Sequence, residues 1–432
     1  MSLTPLGLAL AAFTMLLGAL GQWSATLGAF PWWRLAAGAL ILGLAYELAV
    51  TRGVALGARV RGAARLYLGR EQPLHLEVEN TLPRPVTVQL APVWPAGISG
   101  SEAAVTLRAA AHGAATVRFG VRPVATGAHA WRPLPARVRG PLGLAWWSRT
   151  LRPASELRVV PDVLGRRAAA AGSTQTGPAT QAAIGGAREL HHLRDYRPGD
   201  ARHAIDWKAT ARASRLVTRV FSEDQHLEVL ILLDAGRTSR TEIDGMSQFG
   251  HYVNLAARFA EYCVAGDDQV GLVAFADGTL ATLGPGRGVE AVARIRRALD
   301  GLTPRAAESD VVSAALHVRR LVRRRCLVVL LTDLYERTAT SQLVQSTRLL
   351  ARKHLPMVVG LLGEEILRLG DAPAADWLDP YRSLAAREYR RDVDANLTRL
   401  ARLGARALVA RPAELERKVL GEYASLRARR RI

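Results

Sequence analysis

The chain has 432 residues, 49% of them hydrophobic and 22% charged. That length accommodates roughly two to four domains, and the composition excludes a collagen-like, mucin-like or wholly disordered chain. The formal net charge is +20, but only Lys208, Lys353 and Lys418 are lysines and the arginines are scattered. The chain ends in a short basic run, Arg427-Ala428-Arg429-Arg430-Arg431. Without a basic stripe interleaved with aromatics, no nucleic-acid partner is expected.

Residues 1–51 read as a transmembrane helical hairpin. Pro5 to Leu20 carries no charge, and Leu35 to Val50 carries only Glu47. Trp23, Trp32 and Trp33 flank these runs as interfacial anchors and bring each close to the ~20 residues that span a bilayer. A basic n-region is missing and a second apolar run follows at once, which argues against a cleaved signal. Arg52, Arg59, Arg61, Arg65 and Arg70 follow the second run with no acid before Glu71. The positive-inside rule therefore places the rest of the chain in the cytoplasm. The expected location is the plasma (inner) membrane, multi-pass, with the bilayer as a partner through the hairpin.

Residues 64–162 show strand-period alternation, as in Leu74-x-Leu76-x-Val78, Val86-x-Val88-x-Leu90 and Val117-x-Phe119-x-Val121. Turn signals separate these runs, and the spacing predicts an immunoglobulin-like β-sandwich. Trp131, Trp146 and Trp147 are expected in its core or rim. Residues 163–183 are rich in Ala, Gly, Ser and Thr and read as a flexible linker. A charged segment, 184–226, follows.

From 227 to 432 apolar strands alternate with helices. The runs Leu227–Asp234, Gln269–Ala276, Cys326–Asp333, Pro356–Leu362 and Ala405–Ala410 read as strands. Between and after them, Gln248–Ala265, Val289–Leu299, Asp310–Val322, Thr338–Ala351, Ala386–Leu403 and Pro412–Arg427 read as helices. The pattern predicts an α/β domain with a doubly wound parallel sheet, whose ligands meet the carboxyl ends of strands. Asp234 and Asp333 stand at two such ends. Cys263 and Cys326 lie in apolar stretches and read as buried free thiols. Gly284–Gly288 lacks the Lys-Ser/Thr end of a phosphate loop and reads as a turn. His191-His192 has no second pair to make a metal site, and no Ser/His/Asp elbow is present.

The segment 184–226 is dense in opposite charges: Arg188 and Glu189, Arg194 and Asp195, Asp200 and Arg202, Asp206 and Lys208, then Arg212. Tyr196-Arg197-Pro198-Gly199-Asp200 predicts a turn. Asp200 is expected to cap a helix beginning at Ala201, and Trp207 to anchor the segment by packing. The segment is either a set of ion pairs and caps or a recognition surface for a protein.

Gly185-Gly186-x-Arg188-Glu189, Arg194-x-Tyr196-Arg197-Pro198-Gly199-Asp200, Arg202, Ile205-Asp206-Trp207-Lys208 and Ala211-Arg212 closely resemble the signature of the domain-of-unknown-function 58 family. The resemblance implies a bacterial membrane protein with a two-helix N-terminus, a β domain and a terminal von Willebrand factor A-like domain, associated with MoxR-type AAA+ ATPases. It implies no established enzymatic activity. Von Willebrand A-like domains hold Mg²⁺ through an Asp-x-Ser-x-Ser loop, a Thr and a further Asp. Here the first loop reads Asp234-Ala235-Gly236-Arg237-Thr238. Asp234, Thr238 and Asp333 fit that pattern, Thr303 or Ser309 is the second-loop candidate, and Gly236 lacks the first hydroxyl. No resident cofactor is therefore expected, with a degenerate Mg²⁺ site as the exception to test. The expected function is a non-enzymatic, membrane-anchored scaffold or adaptor for a MoxR-type ATPase or another protein. The alternative is a metal-dependent enzyme or binding protein of cell-envelope assembly.

Overall fold

The computed structural model describes residues 1–23, 32–52, 56–61, 65–153, 156–162, 189–197, 200, 204–222, 227–335, 337–371, 373 and 375–429. The expected linker 163–183 lies outside them. The chain divides into two compact units, residues 1–162 and 163–432.

In the first unit, helix α1 (Pro5–Trp23) packs against α2 (Trp32–Arg52). Among the described residues, α2 alone is long and apolar enough to cross a membrane; the apolar part of α1, Pro5–Leu20, is shorter. Arg34 lies over the Trp33 ring at 5.5 Å. The β structure exceeds the expected 64–162. Strand β2 (Leu56–Arg61) precedes it, and β1 (Ser2–Leu3) joins from the N-terminus.

Strands β4 (Gln72–Asn80), β5 (Val86–Leu90), β6 (Ile98–Gly100), β7 (Val105–Ala109), β8 (Ala114–Pro123), β10 (Leu134–Arg139) and β11 (Ala145–Leu151) complete two sheets. Their orders are β2-β4-β8-β6 and β1-β11-β10-β5-β7, and every pairing in them is antiparallel. The period-2 pattern is realised directly: Leu74, Leu76 and Val78 are buried, as are Val86, Val88 and Leu90. Trp147 is buried, and Trp94 packs edge-on to Phe119 and beside Trp131.

The charge inside the apolar run of α2 has a structural explanation. Glu47 is fully buried. Its carboxylate accepts from Leu144 N (2.9 Å), Ala145 N (3.0 Å) and Trp147 Nε1 (3.3 Å), all at the β10–β11 turn. Thr4 holds the start of α1 to the same turn, donating to Gly143 O and accepting from Gly7 N. A Cβ at Gly140 would overlap the Glu47 carboxyl, and one at Gly7 would overlap Leu144 O. Both glycines are close-approach positions.

The second unit is built on β15 (Glu228–Asp234), β18 (Gln269–Phe275), β19 (Thr279–Gly286), β20 (Leu327–Leu331), β21 (Leu355–Leu361) and β22 (Arg406–Ala410). They form one six-stranded sheet in the order β19-β18-β15-β20-β21-β22. All pairings are parallel except that of the edge strand β19. Sequence reading took Gly284–Gly288 for a turn. Gly284, Pro285 and Gly286 instead end β19, where an edge position tolerates proline.

Helices α4 (Gln248–Ala265), α5 (Gly288–Asp300), α6 (Val311–Leu321), α7 (Arg337–Ala351), α8 (Glu364–Asp371), α9 (Asp379–Arg402) and α10 (Pro412–Ala428) surround this sheet. Leu230 and Leu232 of β15 face a core with Val318, Leu343 and Leu400 from α6, α7 and α9. Alternate residues Val229, Ile231 and Leu233 are equally buried, and α4 packs on that strand too. This double burial explains the unbroken apolar run. The chain goes from β15 to β18 on one side and returns to β20 on the other. The topological switch point is therefore at the C-terminal end of β15.

Candidate functional site

Asp234 ends β15 at this switch point and is 2% exposed. Its Oδ1 accepts from Ser309 Oγ at 2.5 Å and Gly236 N at 2.9 Å, and its Oδ2 from Thr332 Oγ1 at 2.6 Å. Ser239 Oγ donates to its carbonyl at 2.8 Å. Burial raises the Asp234 pKa above the ordinary carboxylate value, opposed by the Ser309, Thr332 and Gly236 hydrogen bonds. Behind it, Tyr252 donates to Thr332 O at 2.8 Å and accepts from Gln248 Nε2 at 3.0 Å.

Of the two second-loop hydroxyls, Ser309 reaches Asp234 and Thr303 is exposed. Thr238 opens a short 3₁₀ turn, Thr238–Arg240. Asp333 is half-buried, and its Oδ1 accepts from Tyr335 N at 3.1 Å. Thr332, which sequence reading did not single out, is the nearer partner. Its signal was its place between an apolar strand and Asp333.

A Cβ on Gly236 would overlap Ser309 Oγ. The second-loop hydroxyl thus fills the space that a first-loop serine would occupy. Mg²⁺ demands near-octahedral oxygen ligands with room for water. Here the loops close on each other, both Asp234 oxygens are engaged by protein donors, and Asp333 serves its own loop. These residues do not fit a Mg²⁺ centre; they form a closed hydrogen-bonded knot.

The charged segment folds into an antiparallel ribbon, β13 (Glu189–Asp195) and β14 (Val217–Ser222), with the short helix Trp207–Ala213 between them. Arg194 is bidentate to Asp200, at 2.9 and 2.8 Å, not paired to Asp195 as its neighbour. Asp195 pairs with Arg215 at 3.3 Å. Asp200 also accepts from Arg197 N at 2.9 Å, and Tyr196 OH lies 3.4 Å from its carbonyl. The Arg194 guanidinium lowers the Asp200 pKa. The expected cap is corrected: Asp206, not Asp200, caps the helix, accepting from Lys208 N and Ala209 N, each at 3.0 Å.

Trp207 is also corrected, from packing anchor to surface residue. It is 67% exposed, because the Asp206 cap turns inward and the first helical residue points out. Lys208 and Arg212 are exposed on the same short helix. Arg188, Gly199 and Arg202 lie outside the described residues, as do the side chains of Glu189, His191 and His192.

Helix α9 supplies a surface that sequence reading missed. Asn396 Nδ2 donates to Leu334 O at 2.7 Å, just beyond the end of β20. From there the helix runs about 25 Å back to Asp379. Tyr389 stacks on Tyr335 at 4.2 Å, and Arg387 donates to Gly370 O at 2.9 Å, tying α8 alongside. Tyr381 and Leu384, in the first turns of α9, are 67% and 57% exposed, and Trp377, in the turn just before the helix, is 73% exposed. Nearby, Glu242, Asp244, Glu364, Asp371, Arg368 and Arg411 line an open cleft of about 1020 Å³.

Cys326 Sγ lies 3.2 Å from His354 Nδ1, and both are buried. Burial pushes the thiol up to about 12 and the imidazole down to about 4. Both are held neutral, the opposite of a nucleophilic thiolate–imidazolium pair. The sign for stability follows from the lowered histidine value. The unfolded chain binds the proton more readily, so stability is complete above about pH 6.5 and falls as the pH drops toward 4. A loss on the order of 3 kcal/mol is expected. Urea unfolding of the full chain between pH 7 and 4 should show this slope, reduced in His354→Gln.

Residues 192–381 match the family described as "Protein of unknown function DUF58". No curated protein matches. Among solved structures, one from the mussel byssus, proximal thread matrix protein 1, is 14% identical with TM-score 0.31. That comparison covers 45% of each chain. The conserved hypothetical protein BatB from Bacteroides thetaiotaomicron is 14% identical with TM-score 0.30, covering 47% of this chain and 99% of its own. The mussel protein with a zinc-occupied MIDAS motif is 20% identical with TM-score 0.25, covering 32% of this chain and 36% of its own.

Proposed function

We propose that this chain, which matches the DUF58 family over residues 192–381, is a membrane-anchored, non-enzymatic adaptor offering the strand-end face of its α/β unit to a protein partner. The observation that carries this reading is the exposed apolar group at the start of α9, Tyr381 and Leu384 on its first turns and Trp377 just before it, on the part of the helix that runs on from the strand ends. Aromatic side chains left in water and gathered in this way have the composition of interface hot spots. The closed Asp234 knot supports a binding rather than a catalytic role. In this reading α1 and α2 cross the plasma membrane as a hairpin, the β region is an immunoglobulin-like sandwich, and the α/β unit is von Willebrand A-like and cytoplasmic. A MoxR-type AAA+ ATPase is the candidate partner, and the +20 charge favours an acidic docking surface.

The test is recovery of the ATPase with the full chain, solubilised from its own cells in mild detergent, with and without ATP. A Trp377→Ser/Tyr381→Ser variant is run beside it, checked for unchanged thermal stability. Recovery with wild type and at least a tenfold loss with the variant is expected, since two anchors together contribute about 2 kcal/mol or more. Absence of an ATPase from both, or equal recovery from both, contradicts the reading. Asp200 and Asp206 are poor choices for such a variant, because both hold local structure.

A further inference from the structure

We propose that the β10–β11 turn, Gly140–Leu144, is a second membrane contact: a wedge that enters the headgroup–acyl boundary beside α2. In it, Leu142 is the apolar tip. The inference rests on the reading of α2 as a membrane span. The turn is clamped to the helices by the Glu47 carboxylate on one side and by Thr4 on the other. Leu142 Cδ1 lies 3.5 Å from the position of a Cβ on Gly43, and Leu144 Cδ1 lies 2.9 Å from it.

Gly43 stands nine residues before Arg52, the basic end of α2, about 14 Å along the helix axis. With Arg52 at the headgroups, Glu47, five residues before it and about 8 Å along the axis, clamps the turn within the roughly 5–10 Å zone where interfacial elements bury apolar residues, and the tip beside Gly43 reaches a few ångströms deeper. Leu142 is nevertheless 50% exposed. Ile41, Leu42 and Tyr46, on the same stretch of α2, are 65%, 72% and 54% exposed. Lipid is the occupant that covers exposed apolar side chains at this depth.

The test uses the full chain in nanodiscs of phosphatidylcholine with phosphatidylglycerol. Cys263 and Cys326 are buried and their thiols pushed up, so they should resist labelling; unlabelled wild type checks this. An environment-sensitive fluorophore is placed in turn at Leu142→Cys, Ile41→Cys and, as an exposed β-domain control, Arg118→Cys. Quenching by spin-labelled lipid is then read at each position. Quenching at 142 and 41 but not at 118 is the expected result. Quenching at 41 alone overturns the wedge and leaves the membrane span standing. Quenching at neither 41 nor 142 sinks both, and equal quenching at 118 shows non-specific adsorption and also overturns the wedge.

Discussion

Glu47→Ala is expected to destabilise the N-terminal unit by about 3–5 kcal/mol, since each buried donor left without a partner costs about 1–3 kcal/mol. The carboxylate is the common acceptor for two backbone N–H groups and an indole N–H, all shielded from water. Its removal strands three donors and opens the space above Gly140. Glu47→Gln keeps the shape but presents an N–H₂ to a donor, so it should recover only part of the loss. Hydrogen exchange across residues 140–147 in detergent or nanodiscs is the measurement, alongside denaturant unfolding. Protection should fall at the turn while the α/β unit is untouched. An exposed carboxylate, Glu71, should change stability by no more than about 0.5 kcal/mol when replaced by alanine. Equal behaviour of the two variants contradicts the latch.

Asp234→Ala is expected to cost about 3 kcal/mol in the α/β unit, because the Ser309 and Thr332 hydroxyls and the Gly236 amide lose their shared acceptor in a buried site. Asp234→Asn should cost less than half of that. Burial already disfavours the charged form, and a hydroxyl can turn to accept from the amide. Thr332→Val, which removes one donor, should cost about 1 kcal/mol. Thermal unfolding of the full chain reads all three. An Asn variant as damaged as the Ala variant would mean that the negative charge itself is required, as a cation site would need.

Periodic segments were legible in the sequence, and special contacts were not. Helix α4 falls on the predicted Gln248–Ala265 because its amphipathic pattern is long and capped by Ser247. The strands ending at Asp234 and near Asp333 were visible because burial on both faces leaves an unbroken apolar run. By contrast, α9 was predicted from Ala386 but starts at Asp379. Pro380 reads as a breaker within a pattern, yet in the first turn it costs no hydrogen bond. Tyr381 and Leu384 lay in the missed turns.

Glu47 was an anomaly in an apolar run until the turn that binds it, nearly a hundred residues away, was placed beside it. The two-residue strand β1 carries no periodicity at all. At the candidate site, the missing hydroxyl at Gly236 was evident, but not that Ser309 fills its place from another loop.

Calorimetric titration of Mg²⁺ into the chelator-treated full chain, with Asp333→Asn as the comparison, tests most directly whether the strand-end centre is a closed knot rather than a catalytic metal site. The account predicts no saturable heat and no shift in unfolding temperature up to millimolar Mg²⁺ in either protein. Saturable 1:1 binding by the wild type, with a stability gain that grows with Mg²⁺ and is lost in Asp333→Asn, would contradict it.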